Sequence, residues 1–100
     1  MARLDLYRIA GIDGYLLEVQ ANLLSALGTT MVVPLLPIER SPTPMKILNP
    51  IFEIAGAQHV LATQYLASVP RQELGDPVAI LGEQNYYQVG NALDLLLSGS

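Results

Sequence analysis

The sequence predicts a mainly β protein, with a run of short antiparallel strands followed by one C-terminal α-helix. Before residue 70 the apolar segments are short and are separated by glycine and proline, which is typical of strands joined by turns. Two of these segments, residues 31–35 and 67–70, run into a proline. Because proline lacks an N–H donor, such a strand must lie at a sheet edge, bulge or stop. After residue 83 the apolar side chains recur three and four apart, which indicates an amphipathic helix.

The composition predicts a single globular domain over residues 1–100. Of the 100 residues, 51% are hydrophobic and 14% are charged, values that argue against disorder. A chain of this length buries roughly 60–70% of the surface that its unfolded form exposes. This apolar content is more than one small core absorbs. We therefore expect a second copy to cover part of it in a homodimer.

Charge and cysteine content exclude several kinds of site and partner. Five Lys and Arg face nine Asp and Glu, so the net charge is −4 and no basic stripe is available to bind phosphates. We therefore expect no direct contact with nucleic acid. The chain has no cysteine, which excludes disulfides and thiolate metal sites and suits a reducing cytoplasm.

Neither a signal peptide nor a membrane span is expected. Asp5 stands where a signal peptide requires an apolar stretch. The longest apolar run, residues 31–38, contains two prolines and is far shorter than the roughly 20 residues that cross a bilayer. These features predict a cytoplasmic protein without a membrane partner.

The N-terminal part of the chain predicts a β-hairpin. Residues 4–9 and 15–20 are the two predicted strands. Between them, Gly11 and Gly14 are expected to supply positive φ, and Asp13 followed by a glycine is a strong hairpin signal.

The next part predicts the centre of the sheet. Residues 21–28 are apolar but short, and predict no more than a helical turn. Residues 29–37 are rich in β-branched and apolar side chains and predict a central strand that Pro34 interrupts. The proline-rich segment 39–49 predicts an extended loop, with a short strand at 45–48 as an alternative.

A second hairpin and a last strand follow. Residues 51–54 and 58–63 are predicted strands with Gly56 in their turn. Residues 66–69 predict a final strand that ends at Pro70. All predicted strands therefore lie within about residues 3–70.

The C-terminal helix is predicted over about residues 83–98. A polar connector at 71–77 and a short apolar segment at 78–81 precede it. Since a curled sheet needs an apolar cover, we expect this helix to pack on its open face. Its apolar stripe consists of Tyr86, Val89, Ala92, Leu93, Leu96 and Leu97.

The order of several short blocks resembles that of the CcdB-type toxins, which belong to type II toxin–antitoxin modules. The resemblance covers nearly the whole chain. Its blocks are Val19-Gln20, Met31-Val32-Val33-Pro34-Leu35, Thr63, Ala67-Ser68-Val69-Pro70 and Asn91-Ala92-Leu93.

The resemblance implies an SH3-like, CcdB-like antiparallel barrel with a C-terminal helix, acting as a homodimer. It implies a poison of DNA gyrase that binds the gyrase A subunit and traps the cleaved-DNA complex. It further implies a cognate antitoxin, whose disordered C-terminal segment folds onto the toxin and neutralises it. No cofactor and no catalysis are expected, because differential binding to one state of the target is sufficient.

The C-terminal tail departs from the family pattern. The family contacts gyrase through a tryptophan-glycine-isoleucine tail, whereas this chain has Ser98, Gly99 and Ser100, of which only Gly99 matches. Loss of a buried tryptophan typically costs at least about 2 kcal/mol, or some thirtyfold in affinity. Three interpretations remain open: contact through other groups or with another target, an inactive relative, or an altered C-terminus. The matched blocks are expected to determine the fold, leaving the tail and the outer face of the helix for target recognition.

Candidate catalytic groups are few. His59 is the one histidine and the chain has no cysteine, so a structural or surface role is favoured over catalysis or metal binding. Asp5, Glu18 and Glu53 fall in three different predicted strands. A pair of them could approach across the sheet as acid and base, but solvated carboxylates are the more common outcome.

Two further functions stay open beside the gyrase poison. One is an endoribonuclease toxin on a similar barrel, which requires cationic groups to stabilise phosphate charge. Five scattered basic residues and a net charge of −4 argue against it. The other is a diverged or inactive interaction domain, which predicts no effect on growth when the protein is expressed alone.

Overall fold

The computed structural model describes residues 4–11 and 13–99 of the chain. Within these residues there are seven strands and one α-helix, α1, which spans Tyr86–Ser98. The strands are β1 Asp5–Arg8, β2 Tyr15–Glu18, β3 Thr29–Pro37, β4 Ile51–Ile54, β5 Ala57–Leu61, β6 Ala67–Pro70 and β7 Ala79–Ile80.

The strands form a curled antiparallel half-barrel with the order β4-β5-β3-β2-β1-β7. Strand β6 lies off this path and pairs with β3. All of the pairings are antiparallel. The predicted mainly β fold with one C-terminal helix is confirmed.

Strand β3 continues through its internal proline, so the prediction that Pro34 interrupts it is wrong. The pairing of β3 with β6 ends at Val32, and its pairing with β5 begins at Leu35. The carbonyl of Pro34 accepts a hydrogen bond from the Ala62 N–H at 2.9 Å. Because the missing Pro34 N–H falls where β3 changes its partner from β6 to β5, the proline removes no hydrogen bond from the β3–β6 pairing or from the β3–β5 pairing.

Pro70 fulfils the edge-strand prediction. It is the last residue of β6, whose partner within the described residues is β3 alone. Beyond it, the Arg71 N–H bonds the Gly28 carbonyl at 2.8 Å, which holds the chain against the start of β3.

The β1–β2 turn uses its two glycines for different reasons. Gly11 has a φ of +81°, as predicted. Gly14 does not have positive φ; instead, a Cβ there would lie 2.5 Å from the carbonyl oxygen of Leu35. The turn therefore packs directly on β3, and close approach rather than turn conformation requires the second glycine.

Helix α1 covers one face of the sheet, as predicted. Val89 and Ala92 are fully buried, and Tyr86 and Leu93 pack against the same core. The apolar stripe is shorter than predicted, because Leu97 is 72% exposed. The sheet side of this core consists of Leu4, Leu6, Leu17, Val33, Leu35, Phe52, Ile54 and Leu61, with Leu81 preceding the helix.

Two predictions about the C-terminal third need correction. The strands extend beyond residue 70, because β7 pairs with β1 through Asp5 and Ile80. The helix starts later than predicted, since residues Glu83–Asn85 form a short 3₁₀ turn before it. Among the described residues, no helix has the length and apolar character needed to span a bilayer.

The proline-rich loop contains no strand at residues 45–48, where one was an alternative. The Asn49 side chain donates to the Leu61 carbonyl at 2.9 Å and to Gln64 at 2.8 Å. The Thr63 hydroxyl donates to the Leu48 carbonyl at 2.5 Å. Side-chain bonds, together with backbone turn bonds such as that from the Asn49 N–H to the Met45 carbonyl at 2.9 Å, thus replace a strand ladder in this segment. Ile47 also adopts a φ of +71°, which a strand does not allow.

Candidate functional site

The C-terminal tail begins where α1 ends. Gly99 adopts the left-handed conformation, with φ 74° and ψ 17°, and its N–H bonds the Leu95 carbonyl at 3.0 Å. It is a helix C-cap in open space, so its conformation, not crowding, favours glycine. The Ser98 hydroxyl donates to the Asp94 carbonyl at 2.7 Å. Ser100, the third predicted tail residue, lies outside the described residues.

Apolar side chains remain exposed along the outer side of α1. Leu97 in the last turn and Tyr87 in the first turn are 72% and 78% exposed. Tyr87 also lines a groove of about 410 Å³ between the helix and the proline-rich loop. Ile47 and Pro50 form the loop side of this groove, and the matched residue Asn91 belongs to its helix side.

Several residues of the remaining matched blocks lie in the core or pair within the sheet, as expected of residues that determine the fold. Val33 and Leu35 of β3 and Ala92 of α1 are fully buried in the core. Ala67–Pro70 forms β6 and pairs with the first half of β3. Their side chains and pairings hold the sheet and helix together.

A second candidate site is centred on the Glu18 carboxylate at the end of β2. Its Oε2 accepts hydrogen bonds from the Thr30 hydroxyl at 2.6 Å and from Arg71 Nη1 at 2.9 Å. Its Oε1 accepts one from the Tyr7 hydroxyl at 3.2 Å. These four side chains, the Glu18 cluster, come from β1, β2, β3 and the segment after β6.

The Glu18 cluster shifts two pKa values in opposite directions. Burial by itself raises the pKa of Glu18, but hydrogen bonds from Thr30 and Arg71 and the charge of Arg71 outweigh burial and lower it. Burial, the nearby Glu18 charge and the hydrogen bond to it raise the pKa of Tyr7 to about 12. At neutral pH the carboxylate is therefore charged and the phenol is neutral.

A polar pocket of about 300 Å³ opens beside this cluster. Asp5 and Glu18 both line it, so the sheet brings together two of the three carboxylates considered for acid–base chemistry. Glu53 lies instead on β4, where it pairs with Gln58 of β5. The complete lining is Asp5, Tyr7, Glu18, Gln20, Ala21, Asn22, Ser25 and Arg71.

His59 has structural surroundings, in line with the role favoured from sequence. It is 7% exposed, and its ring packs edge-on against Tyr15 with 5.3 Å between centroids. Its Nδ1 lies 2.9 Å from the Ala57 carbonyl oxygen. The Arg8 guanidinium also lies 4.9 Å from the Tyr15 ring centroid, a cation–π contact.

Comparison with known proteins identifies the family. A model of the CcdB protein family matches residues 3–99, nearly the whole chain. The chain belongs to the CcdB family. Membership in the CcdB family implies the toxin of a toxin–antitoxin module, with the partnering that such a module entails. No curated protein matches this CcdB-family chain in a sequence search.

The resemblance inferred from the sequence blocks is thus confirmed, and so is the CcdB-like fold class. The Glu18 cluster of this CcdB-family protein was not found from sequence, although Glu18 itself was a candidate. Arg71 lies in the polar connector, 53 residues from Glu18. Thr30 lies in an apolar strand, 12 residues from Glu18. No spacing signal relates them, because strand pairing alone makes them neighbours.

Proposed function

We propose that this CcdB-family toxin is a poison of DNA gyrase. It acts as a homodimer that binds the gyrase A subunit without bond chemistry and traps the cleaved-DNA complex. A cognate antitoxin, through a disordered C-terminal segment, neutralises it. The observation that carries the proposal is the match of the CcdB family model over residues 3–99.

Trapping requires only that the toxin bind one conformational state of gyrase better than the others. The tail is suited to such contact, since the helix is capped at Gly99 and both Ser98 and Gly99 are exposed. Leu97, exposed beside them, offers an apolar side chain where the family's tryptophan is absent. We place Gly99 and the flanking positions 98 and 100 at the gyrase contact.

The homodimer accounts for the apolar side chains that the monomer leaves in water. Large contiguous apolar patches on a small domain are typical of surfaces that meet a partner. We expect the dimer to bring the two α1 helices near its two-fold axis, with the two tails side by side. The large apolar side chains concerned include Leu23, Leu24, Leu27, Met45, Ile47, Val78, Ile80, Tyr87 and Leu97.

Expression in matched hosts tests the target. The protein should arrest growth of a host with wild-type gyrase and spare a host whose gyrase A subunit resists CcdB toxins. With purified gyrase and ATP, it should increase the fraction of cleaved DNA. Equal killing of both hosts, or no gain in cleaved DNA, would contradict the gyrase proposal.

A second candidate, an endoribonuclease toxin, gains one observation from the structure. Asp5, Tyr7, Glu18 and Arg71 line a single pocket, which is a carboxylate, phenol and guanidinium set. Against it, the Arg71 cation is paired with Glu18 at 2.9 Å, so little positive charge is left for a phosphate. Incubation of RNA with a toxic dose distinguishes the two: cleaved RNA would favour the nuclease, and intact RNA the gyrase poison.

A further inference from the structure

Ile47 adopts a strained backbone conformation in the proline-rich loop. Its φ of +71° is a genuine outlier for a β-branched residue. The Leu48 N–H bonds the Lys46 carbonyl at 2.8 Å, so Ile47 is the central residue of a three-residue turn. A turn of this kind with positive φ is rare and strained. Glycine or asparagine would adopt the same conformation at a lower cost in free energy.

Packing within the chain does not offset the strain at Ile47. Leu4 and Ala55 are the other non-glycine residues with positive φ among those described. Leu4 is fully buried in the core, and Ala55 lies in the two-residue turn of the β4–β5 hairpin, where positive φ is usual. Ile47 is 61% exposed and has neither explanation. We therefore expect its side chain to make a contact outside the chain.

Neighbouring hydrogen bonds hold the loop in this conformation. Asn49 Oδ1 accepts a bond from the Met45 N–H at 3.0 Å, and the Asn49 N–H donates to the Met45 carbonyl at 2.9 Å. The Asn49 side chain also donates to the Leu61 carbonyl at 2.9 Å, and Asn49 itself is 5% exposed. Because these bonds fix the loop around Ile47, the strain persists in the folded state.

Ile47 forms one wall of the groove of about 410 Å³ between the loop and α1. Pro50 lies on the same side, and Tyr87 forms part of the helix wall. The carboxamides of Gln88 and Asn91 also line the groove, and each can donate to or accept from a peptide backbone. No charged side chain lines it among the residues that the structure describes. The groove therefore suits an apolar segment of a polypeptide.

One face of α1 connects this groove with the tail. Four exposed or partly exposed residues, spaced four, three and four positions apart, follow that face. They are Tyr87, Asn91, Asp94 and Ser98. Tyr87 lies about 16 Å along the helix axis from Ser98. Since a standard interface buries roughly 800 Å² on each partner, a contact that includes the tail extends well along this face.

We infer that the groove receives an apolar segment of the gyrase A subunit and that Ile47 is a binding residue for it. This inference rests on the proposed function and deepens it, because it adds the proline-rich loop to the gyrase contact. The segment packs between Ile47 and Tyr87, and Gln88 and Asn91 bond its backbone. Because the tail lacks the family's tryptophan, the groove supplies apolar contact area that the tail does not.

A stability measurement tests the strain. Ile47→Gly should raise the ratio of folded to unfolded protein at least threefold in urea denaturation, because glycine adopts positive φ without strain. The matched control is Met45→Gly, which should lower this ratio. Met45 lies in the same loop and is also 61% exposed, but it has no positive φ and does not line the groove. A loss of stability in Ile47→Gly would overturn the inference, since an unstrained Ile47 needs no outside contact.

Binding to the purified gyrase A subunit tests the contact. Ile47→Ala and Ile47→Gly should each lower the affinity at least tenfold in titration calorimetry, whereas Met45→Ala should leave it unchanged. Because Ile47→Gly is expected to be more stable than the wild type, its loss of affinity cannot come from unfolding. A weaker homodimer whose affinity for gyrase A is unchanged would overturn the inference, since a second copy then fills the groove.

The outcomes separate this inference from the proposed function. A wild-type protein that does not bind the gyrase A subunit contradicts both of them. Wild-type binding that both Ile47 variants retain in full contradicts the inference alone.

Discussion

Arg71 donates a hydrogen bond from Nη1 to Oε2 of Glu18 over 2.9 Å, across 53 residues of sequence. Its Nε reaches the Leu27 carbonyl oxygen at 3.2 Å, so one side chain joins β2, the loop after β2 and the segment after β6. Hydrogen bonds to charged groups that are partly shielded from water contribute more than exposed ion pairs. This contact should therefore stabilise the fold measurably.

Arg71→Ala should lower the free energy of unfolding by about 1–2 kcal/mol, because Glu18 loses a charge-assisted bond in a partly buried setting. The matched control is Arg40→Ala. Arg40 pairs with Asp13 at the same 2.9 Å, but their side chains are 65% and 66% exposed. That change should cost less than about 0.5 kcal/mol. Urea denaturation measures both, and equal losses would contradict the distinction.

The lowered pKa of Glu18 predicts a loss of stability in acid. Its folded-state pKa lies below the ordinary value of 4.5, so the unfolded chain takes up the proton first as the pH falls. The stabilisation is present above pH 4.5 and is lost as the pH falls through the folded-state pKa. Urea midpoints between pH 7 and pH 3 should fall less steeply in Glu18→Gln than in the wild type. Parallel curves for the two proteins would rule out this linkage.

The raised pKa of Tyr7 predicts a loss of stability in alkali. The phenol keeps its proton in the folded state up to a pKa of about 12, while the unfolded chain releases it near 10. The stabilisation is present below pH 10 and is lost as the pH rises toward 12. Tyr7→Phe should flatten the decline in stability over that range, measured by denaturation against the wild type. An unchanged slope in the variant would argue against a shielded phenol.

Gly99→Ala should weaken the end of α1, because an alanine in the left-handed conformation costs about 1 kcal/mol. Gly28→Ala is the control, since Gly28 has no positive φ and open space around its Cα. Hydrogen exchange at the Gly99-to-Leu95 bond should quicken in the first variant only. Slow exchange at residue 99 in Gly99→Ala would show that the cap does not need glycine.

Restoring the family's aromatic and aliphatic tail residues should increase gyrase affinity. The double variant Ser98→Trp, Ser100→Ile is expected to bind the gyrase A subunit about thirtyfold more tightly, as a buried tryptophan hot spot contributes about 2 kcal/mol. The control is Ser98→Ala, Ser100→Ala, which changes the same positions without adding a large side chain. Titration calorimetry compares the three proteins. An unchanged gyrase affinity in the double variant would mean that the tail of this chain is not equivalent to the family's tail.

Much of the framework follows from local pattern. The hairpin at residues 51–61, the edge position of Pro70 and the apolar spacing of α1 are all local signals in the sequence, and each matches the structure. The family resemblance also depended on blocks that prove to be core, such as Val33 and Leu35. Local periodicity predicts such elements because it reports directly which side chains must be buried.

Other features depended on pairing between distant segments. Pro34 was expected to break β3, but the strand exchanges β6 for β5 at that residue and continues. β7 was missed because two residues carry too little periodicity, and only β1 makes them a strand. Leu97 matched the helical spacing, yet it lies outside the packed core.

The sequence by itself determined the family, the mainly β class and the closing amphipathic helix, since each depends on the order and spacing of side chains along the chain. Only the tertiary structure decided that Tyr7, Glu18, Thr30 and Arg71 meet around one carboxylate. The reason is physical: antiparallel pairing joins residues by register, which sequence separation does not encode.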